Sequence, residues 1–184
     1  ESLPPDQQVQ FIESKLKDLK SRLKVVENSQ SGDQFLLKRQ SAIGNLQQLI
    51  SVYGEKDSNA LSIQGMIEQA DQTWESRSGE IDQGVSSVDS RLSEASLILN
   101  DLSENFAGRL EEAGPALNVL RENLTRTETE VDALSNLSKN AIVDATQAYS
   151  VIENESNQLA VKAVPAAPSQ NPASIGYTPK AKQV

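Results

Sequence analysis

The chain has 184 residues, a net charge of −9, only 4% aromatic residues, and neither Cys nor His. Without Cys there are no disulfides, thiolate nucleophiles or thiol metal sites, and without His the commonest general base and transition-metal ligand are missing; the composition points away from an enzyme, and no cofactor or metal site is expected. Few aromatics among abundant Ser, Gln, Asn, Ala and Leu suit thin helical seams with a wide wet surface better than a thick globular core.

Pro4-Pro5-Asp6 reads as a helix start, since proline is tolerated in a first turn. Val9, Ile12, Leu16, Leu19, Leu23 and Val26 come after it at alternating steps of three and four, with Lys, Arg, Glu and Asp between them. That is an amphipathic helix, broken by the polar run Asn28-Ser29-Gln30-Ser31-Gly32-Asp33. A second helix is expected over residues 34–53, with Leu36, Ile43, Leu46, Ile50 and Tyr53 on one stripe and Leu37 and Leu49 widening it. Gly54-Glu55-Lys56-Asp57-Ser58-Asn59 is the next break, with Ser58 or Asn59 placed to cap the third helix.

From residue 60 onward the apolar stripe is long. It passes through Ala60, Ile63, Ile67, Ala70, Trp74, Ile81, Val85, Val88, Leu92, Ala95, Leu99, Leu102, Phe106 and Leu110. It continues through Leu117, Leu120, Leu124, Val131, Leu134, Ala141, Ala145, Ala148 and Ile152, with Arg77, Thr127, Ser138 and Glu155 as polar members. The spacing predicts a coiled-coil seam. Four-residue steps around Arg77–Ile81–Val85 and Leu102–Phe106–Leu110 read as stutters. Ala113-Gly114-Pro115 reads as a kink or short break in one continuous rod, because the apolar register crosses it without a slip. Helix over residues 60–161 would span roughly 150 Å. The small residues Ala141, Ala145 and Ala148 predict close approach of helix axes. After Lys162 the sequence turns Pro-rich and loses its period, which predicts an extended tail or linker.

The expected organisation is therefore two short amphipathic helices with polar breaks over 1–56, a long acidic coiled coil over 57–163, and an extended tail over 164–184. The net charges of residues 1–56, 57–160 and 161–184 are +1, −13 and +3. An acidic helical surface repels DNA, RNA and anionic lipid. No stretch reaches the roughly 20 apolar residues that cross a bilayer, so membrane insertion is not expected. Both ends read as cut from a longer chain.

The carboxylate groups Glu111-Glu112 and Glu128-x-Glu130-x-Asp132 read as solvated helix faces, because residues two apart on a helix point in different directions. Asp57-x-Asn59 lacks the glycine and bidentate glutamate of a calcium loop and reads as a helix cap. Trp74 reads as a core layer of the seam, with a partner-binding anchor as the alternative.

The segment Ala173-Ser174-Ile175-Gly176-Tyr177-Thr178-Pro179-Lys180-Ala181 resembles a Gly-Tyr-Thr-Pro segment common in bacteriophage tail-fibre proteins, although Lys182-Gln183 departs from that pattern. The heptad stretches interrupted at residues 28–33 and 54–59 are similar in style to fibritin, the trimeric phage whisker family. The resemblance implies a parallel homotrimer in a virion fibre and carries over no catalytic residue.

The sequence thus predicts an all-α, elongated, segmented coiled coil that self-associates, with a homotrimer favoured over a dimer. It would be a non-enzymatic fibre or stalk of a larger assembly, located on a virion or otherwise in the cytoplasm or outside the cell. Two other readings stand beside it: a scaffold or tethering subunit of a hetero-oligomeric cellular complex, and a monomeric antiparallel helical-bundle adaptor.

Overall fold

Proline and glycine punctuate a chain whose apolar residues otherwise repeat with helical spacing, and the helices end where those residues fall. The computed structural model describes residues 3–163; the expected tail over 164–184 lies outside the described residues. Among the described residues the protein is all-α, with no strand.

Helix α1 (Pro5–Ser29) begins with proline in its first turn and Asp6 near the positive end of the helix dipole. Gly32, at φ 77°, adopts a left-handed conformation that side chains disfavour. Its carbonyl accepts the Phe35 and Leu36 amides at 3.2 Å, opening α2 (Asp33–Tyr53). Gly54, at φ 95°, closes α2. Asp57 Oδ2 accepts the Ala60 amide at 3.0 Å and caps α3 (Ser58–Asn105). The cap is therefore Asp57 rather than Ser58 or Asn59.

The continuous rod expected over residues 60–161 does not form. Helix α3 stops at Asn105, Gly108 takes φ 79°, and a 3-10 turn (Leu110–Ala113) leads into α4 (Gly114–Ala163). Pro115 falls in the first turn of α4, where its missing N–H costs nothing. The four-residue steps at Leu102, Phe106 and Leu110 mark a chain reversal, not a stutter in a rod.

The described residues form two compact units. The first contains the residues up to Ser31 together with Ser78–Lys139. Residue numbers rise together along α1 and α4, where Lys15 meets Glu128, Arg22 meets Asp132 and Ser29 meets Ser138. They run oppositely along α3 and α4, where Arg91 pairs with Glu130 and Gly84 faces Leu134. The unit is an up-down-up three-helix bundle. Its core holds Ile12, Leu16, Leu19, Leu23, Ile81, Val85, Val88, Leu92, Leu99, Leu117, Leu120, Leu124, Val131 and Leu134, all buried. Val9, Leu102, Phe106 and Leu110 are half-buried. These seam positions are filled from within one chain, each large buried side chain contributing about 1.5–3 kcal/mol.

The second unit contains Gly32–Arg77 and the residues from Asn140 onward. Asn45 bonds Ser156 and Gln48 bonds the Ala160 carbonyl, so α2 runs parallel to α4. Asp71 meets Tyr149 and Arg77 meets Asp144, so α3 runs antiparallel to α4. The buried face of α2 differs from the expected stripe. Phe35, Ala42 and Leu49 are buried, whereas Leu36, Leu37 and Tyr53 are exposed. The heptad step from Phe35 to Leu49 sets the face toward α3 and α4. On α4, Ala141, Ala145 and Ile152 are buried on the predicted stripe, but Tyr149 and Ser156 are buried where the spacing predicts Ala148 and Glu155.

Candidate functional site

In the second unit each of the three helices brings a different chemical group to one core layer. Helix α2 supplies Phe35 and Arg39 one turn apart; α3 supplies Asp71 and Trp74; α4 supplies Tyr149. The Phe35 and Tyr149 rings stack at 5.1 Å between centroids and an angle of 11°. Trp74 meets Phe35 edge to face at 4.7 Å and 73°. Such offset and T-shaped pairs add about 0.5–1.5 kcal/mol beyond their burial.

A polar network lies against this stack. Arg39 Nε and Nη2 donate to the two Asp71 oxygens at 2.8 Å each, a fork-to-fork pair. The Tyr149 hydroxyl donates to Asp71 Oδ1 at 2.5 Å. The Arg39 hydrogen bonds outweigh burial and hold the Asp71 carboxyl below its ordinary range. Burial, and then the adjacent Asp71 carboxylate, push the Tyr149 phenol upward, so it stays protonated. The hydrogen bonds to Asp71 likewise raise Arg39. The layer is a locked ion pair plus a neutral phenol. Every proton in it is held more tightly or every charge more firmly than in water, which is the opposite of a poised acid or base.

Beside the layer, between α3 and α4, runs an apolar groove of about 380 Å³. Met66, Ala70 and Trp74 line one wall, and Ala141, Ala145 and Ala148 line the other. Ala141 and Ala145 are buried and Ala148 half-buried along this hollow. Arg77 and Asp144 close one end with an ion pair of 2.6 Å. Trp74 is compatible with both of its readings: it is half-buried, with its ring against Phe35 and its surface on the groove.

The carboxylate run in the first unit resolves differently from the solvated face expected of it. Glu128 receives Lys15 at 2.7 Å and Arg22 at 2.8 Å, and Asp132 receives Arg22 at 3.3 Å, both from α1. Glu130 points instead to Arg91 of α3. Residues two apart on α4 therefore reach different helices and do not converge. The hydrogen bonds from Lys15 lower the Glu128 carboxyl first, with Arg22 adding to it, and Arg91 does the same for Glu130. These pairs are partly exposed and individually worth little, about 0–1 kcal/mol; their use is to fix which helix lies on which side. Among the described residues no group of three or more acidic side chains is placed to hold a metal ion, and no helix is long and apolar enough to cross a membrane.

Of the polar seam members, Thr127 and Ser138 are buried and Arg77 is paired with Asp144. Thr127 donates to the Asn123 carbonyl at 2.9 Å. Ser138 bonds both Ser29 and Gln30, tying the end of α1 to α4. Nothing in the sequence singles out Phe35, Arg39, Asp71 and Tyr149. Spacing marks apolar stripes, and no signal in it pairs an arginine with an aspartate 32 positions away. Comparison with known protein families, with curated proteins and with solved structures finds no match to this chain.

Proposed function

We propose that this chain is a non-enzymatic structural subunit, a helical-bundle scaffold or tether whose seam is satisfied within one molecule. One observation carries the reading: positions that would zip separate chains together are occupied by the chain's own three-helix cores. The same side chains do not fill an intrachain core and a seam between parallel chains at once, so this reading is favoured over a parallel trimeric fibre. What remains for partners is surface: charged faces tied by ion pairs, and the groove beside Trp74. The locked state of Asp71 and Tyr149 supports a positioning role for the polar layer, which selects register among otherwise interchangeable apolar faces.

The chain has no cysteine of its own, which permits a direct test. The hydroxyls of Ser29 and Ser138 lie 2.8 Å apart. The double variant Ser29→Cys, Ser138→Cys, oxidised at high dilution, is expected to form an intrachain disulfide, read as a faster-running monomer on a non-reducing gel. In parallel, in-register chains those positions lie about 160 Å apart along a helix. Interchain links alone, or none, would contradict the reading.

A further inference from the structure

We propose that the reversal between α3 and α4 is an exchange hinge, poised between the closed bundle and a dimer in which two copies of this chain trade α4, and that Pro115 sets the balance toward the closed form. In the exchanged dimer each copy completes the Arg39–Asp71–Tyr149 layer of the other. The inference rests on the intrachain-bundle reading, because only a chain that folds back has a reversal to open.

The hinge itself carries the seam. A turn between packed helices ordinarily interrupts the apolar period with polar residues. Here Leu99, Leu102, Phe106, Leu110, Ala113 and Leu117 keep steps of three and four straight across the turn. Leu102, Phe106 and Leu110 are half-buried in the closed form. A straightened helix would present them on one unbroken stripe, with the four-residue steps absorbed as a stutter.

The pairing of α3 with α4 has the symmetry that exchange needs. Arg91 meets Glu130, Arg77 meets Asp144 and Asp71 meets Tyr149, each pair lying about equally far on either side of Leu110. A twofold axis at Leu110 of a straightened helix restores every one of these pairs, with α4 supplied by the other copy.

The bonds that hold the closed turn are local. The Arg109 amide donates to the Phe106 carbonyl at 2.9 Å, and the Glu112 amide to the Arg109 carbonyl at 3.1 Å. The Arg109 guanidinium donates to the Asn105 carbonyl at 3.1 Å and to Glu112 at 2.6 Å, and lies 5.1 Å from the Phe106 ring. Gly108 holds φ 79°. Opening gives up these bonds, and helical ones take the place of the backbone pairs.

Pro115 is what a straightened helix does not tolerate. At the start of α4 it needs no amide hydrogen. In a continuous helix it would leave the Glu111 carbonyl unbonded and crowd it. Proline in place of alanine in a helix interior costs about a hundredfold in equilibrium constant, and the dimer contains two such sites. In the closed chain α4 meets its own α3 at an effective concentration of about millimolar, as short links give. Both terms keep the parent chain closed at micromolar concentration.

Refolding from urea at about 5 and about 500 μM, followed by sedimentation velocity, tests the hinge on either side of half that effective concentration. The parent chain is expected to refold as a monomer at both. Pro115→Ala, at a first-turn position that alanine fills well, is expected to refold as a monomer at the lower concentration. At the higher one its dimer fraction should exceed the parent's at least about tenfold. Adding Gly108→Ala should raise it further, because alanine is strained at φ 79° in the turn and favoured in a helix. In the Pro115→Ala background, Ser29→Cys with Ser138→Cys should give a disulfide-linked dimer after refolding at about 500 μM and an intrachain disulfide after refolding at about 5 μM. Pro115→Ala that stays monomeric at the higher concentration would overturn the inference. So would a dimer whose disulfide remains within one chain, since such copies associate without exchange, or equal dimer in parent and variant, since Pro115 would then set nothing. If the dimer fails while the intrachain disulfide forms at high dilution, the hinge is lost and the bundle reading stands; absence of that disulfide at high dilution removes both.

Discussion

Tyr149 donates its hydroxyl hydrogen to Asp71 across 2.5 Å, while both oxygens of that carboxylate also hold Arg39. One carboxylate thus joins the three helices of the second unit at a single level. A slip by one turn would part the Phe35, Trp74 and Tyr149 rings packed beside it and leave a guanidinium, a carboxylate and a phenol without partners.

Removing the hub should therefore cost more than removing a spoke. Asp71→Ala leaves Arg39 and Tyr149 unpartnered and is expected to destabilise by about 2–3 kcal/mol, the partial exposure of the pair holding the figure down. Tyr149→Phe keeps the stack and the ion pair and should cost about 1 kcal/mol. Urea unfolding followed by circular dichroism measures both. Equal costs would mean that the layer does not act as a unit.

The same layer predicts a pH response at both extremes. Asp71 is held below its unfolded value by Arg39. Its contribution is therefore present above the unfolded carboxylate pKa and is lost as pH falls through the folded one. Tyr149 is raised by burial. Its contribution is present below the unfolded phenol value of about 10 and is lost as pH rises above it. Thermal melts should show Asp71→Asn flattening the acid limb and Tyr149→Phe flattening the alkaline limb. Parallel limbs in variant and parent would contradict these assignments.

Glycines inside α3 should separate by what faces them. A side-chain carbon at Gly65 meets nothing within 4 Å, so Gly65→Ala is expected to stabilise by about 1 kcal/mol through helix propensity. At Gly84 the same carbon would lie 2.5 Å from Leu134 Cδ2, within a packed core. Gly84→Ala should fall short of Gly65→Ala by about 1 kcal/mol or more. Equal gains in melting temperature would mean that Leu134 yields freely.

Two leucines of α2 give a sharp test of its buried face. Leu49 is 1% exposed and Leu37 is 76% exposed. Leu49→Ala should cost about 2–4 kcal/mol and Leu37→Ala less than about 0.5 kcal/mol, measured by urea unfolding. The reverse order would restore the stripe through Leu36 and Leu37.

Much of the helix map is legible in the sequence, because Pro5, Gly32 and Gly54 interrupt an otherwise steady period. The direction of the chain is not. Two amphipathic helices folded back on each other repeat with the same spacing as one continuous helix, and only Gly108, among several glycines in the stripe, takes the left-handed turn. The stripe misleads on α2 because Ala42 and Gln48, both buried, carry weak hydrophobic signal while exposed Leu36 and Leu37 carry strong signal. The core layer is invisible for a related reason. Arg39 and Asp71 look like any other surface charges until the fold brings them together.

The intrachain bundle stands or falls on the reversal at Gly108. Spin labels on Ser86→Cys of α3 and Ala133→Cys of α4, measured by double electron–electron resonance in chains diluted with unlabelled protein, read it directly. Both positions are exposed. Packed antiparallel helices lie about 8–10 Å apart, so with the label arms an interspin distance under about 30 Å is predicted. A distance near 70 Å, roughly the length of the intervening residues as one straight helix, would contradict the intrachain bundle and return the seam to a rod.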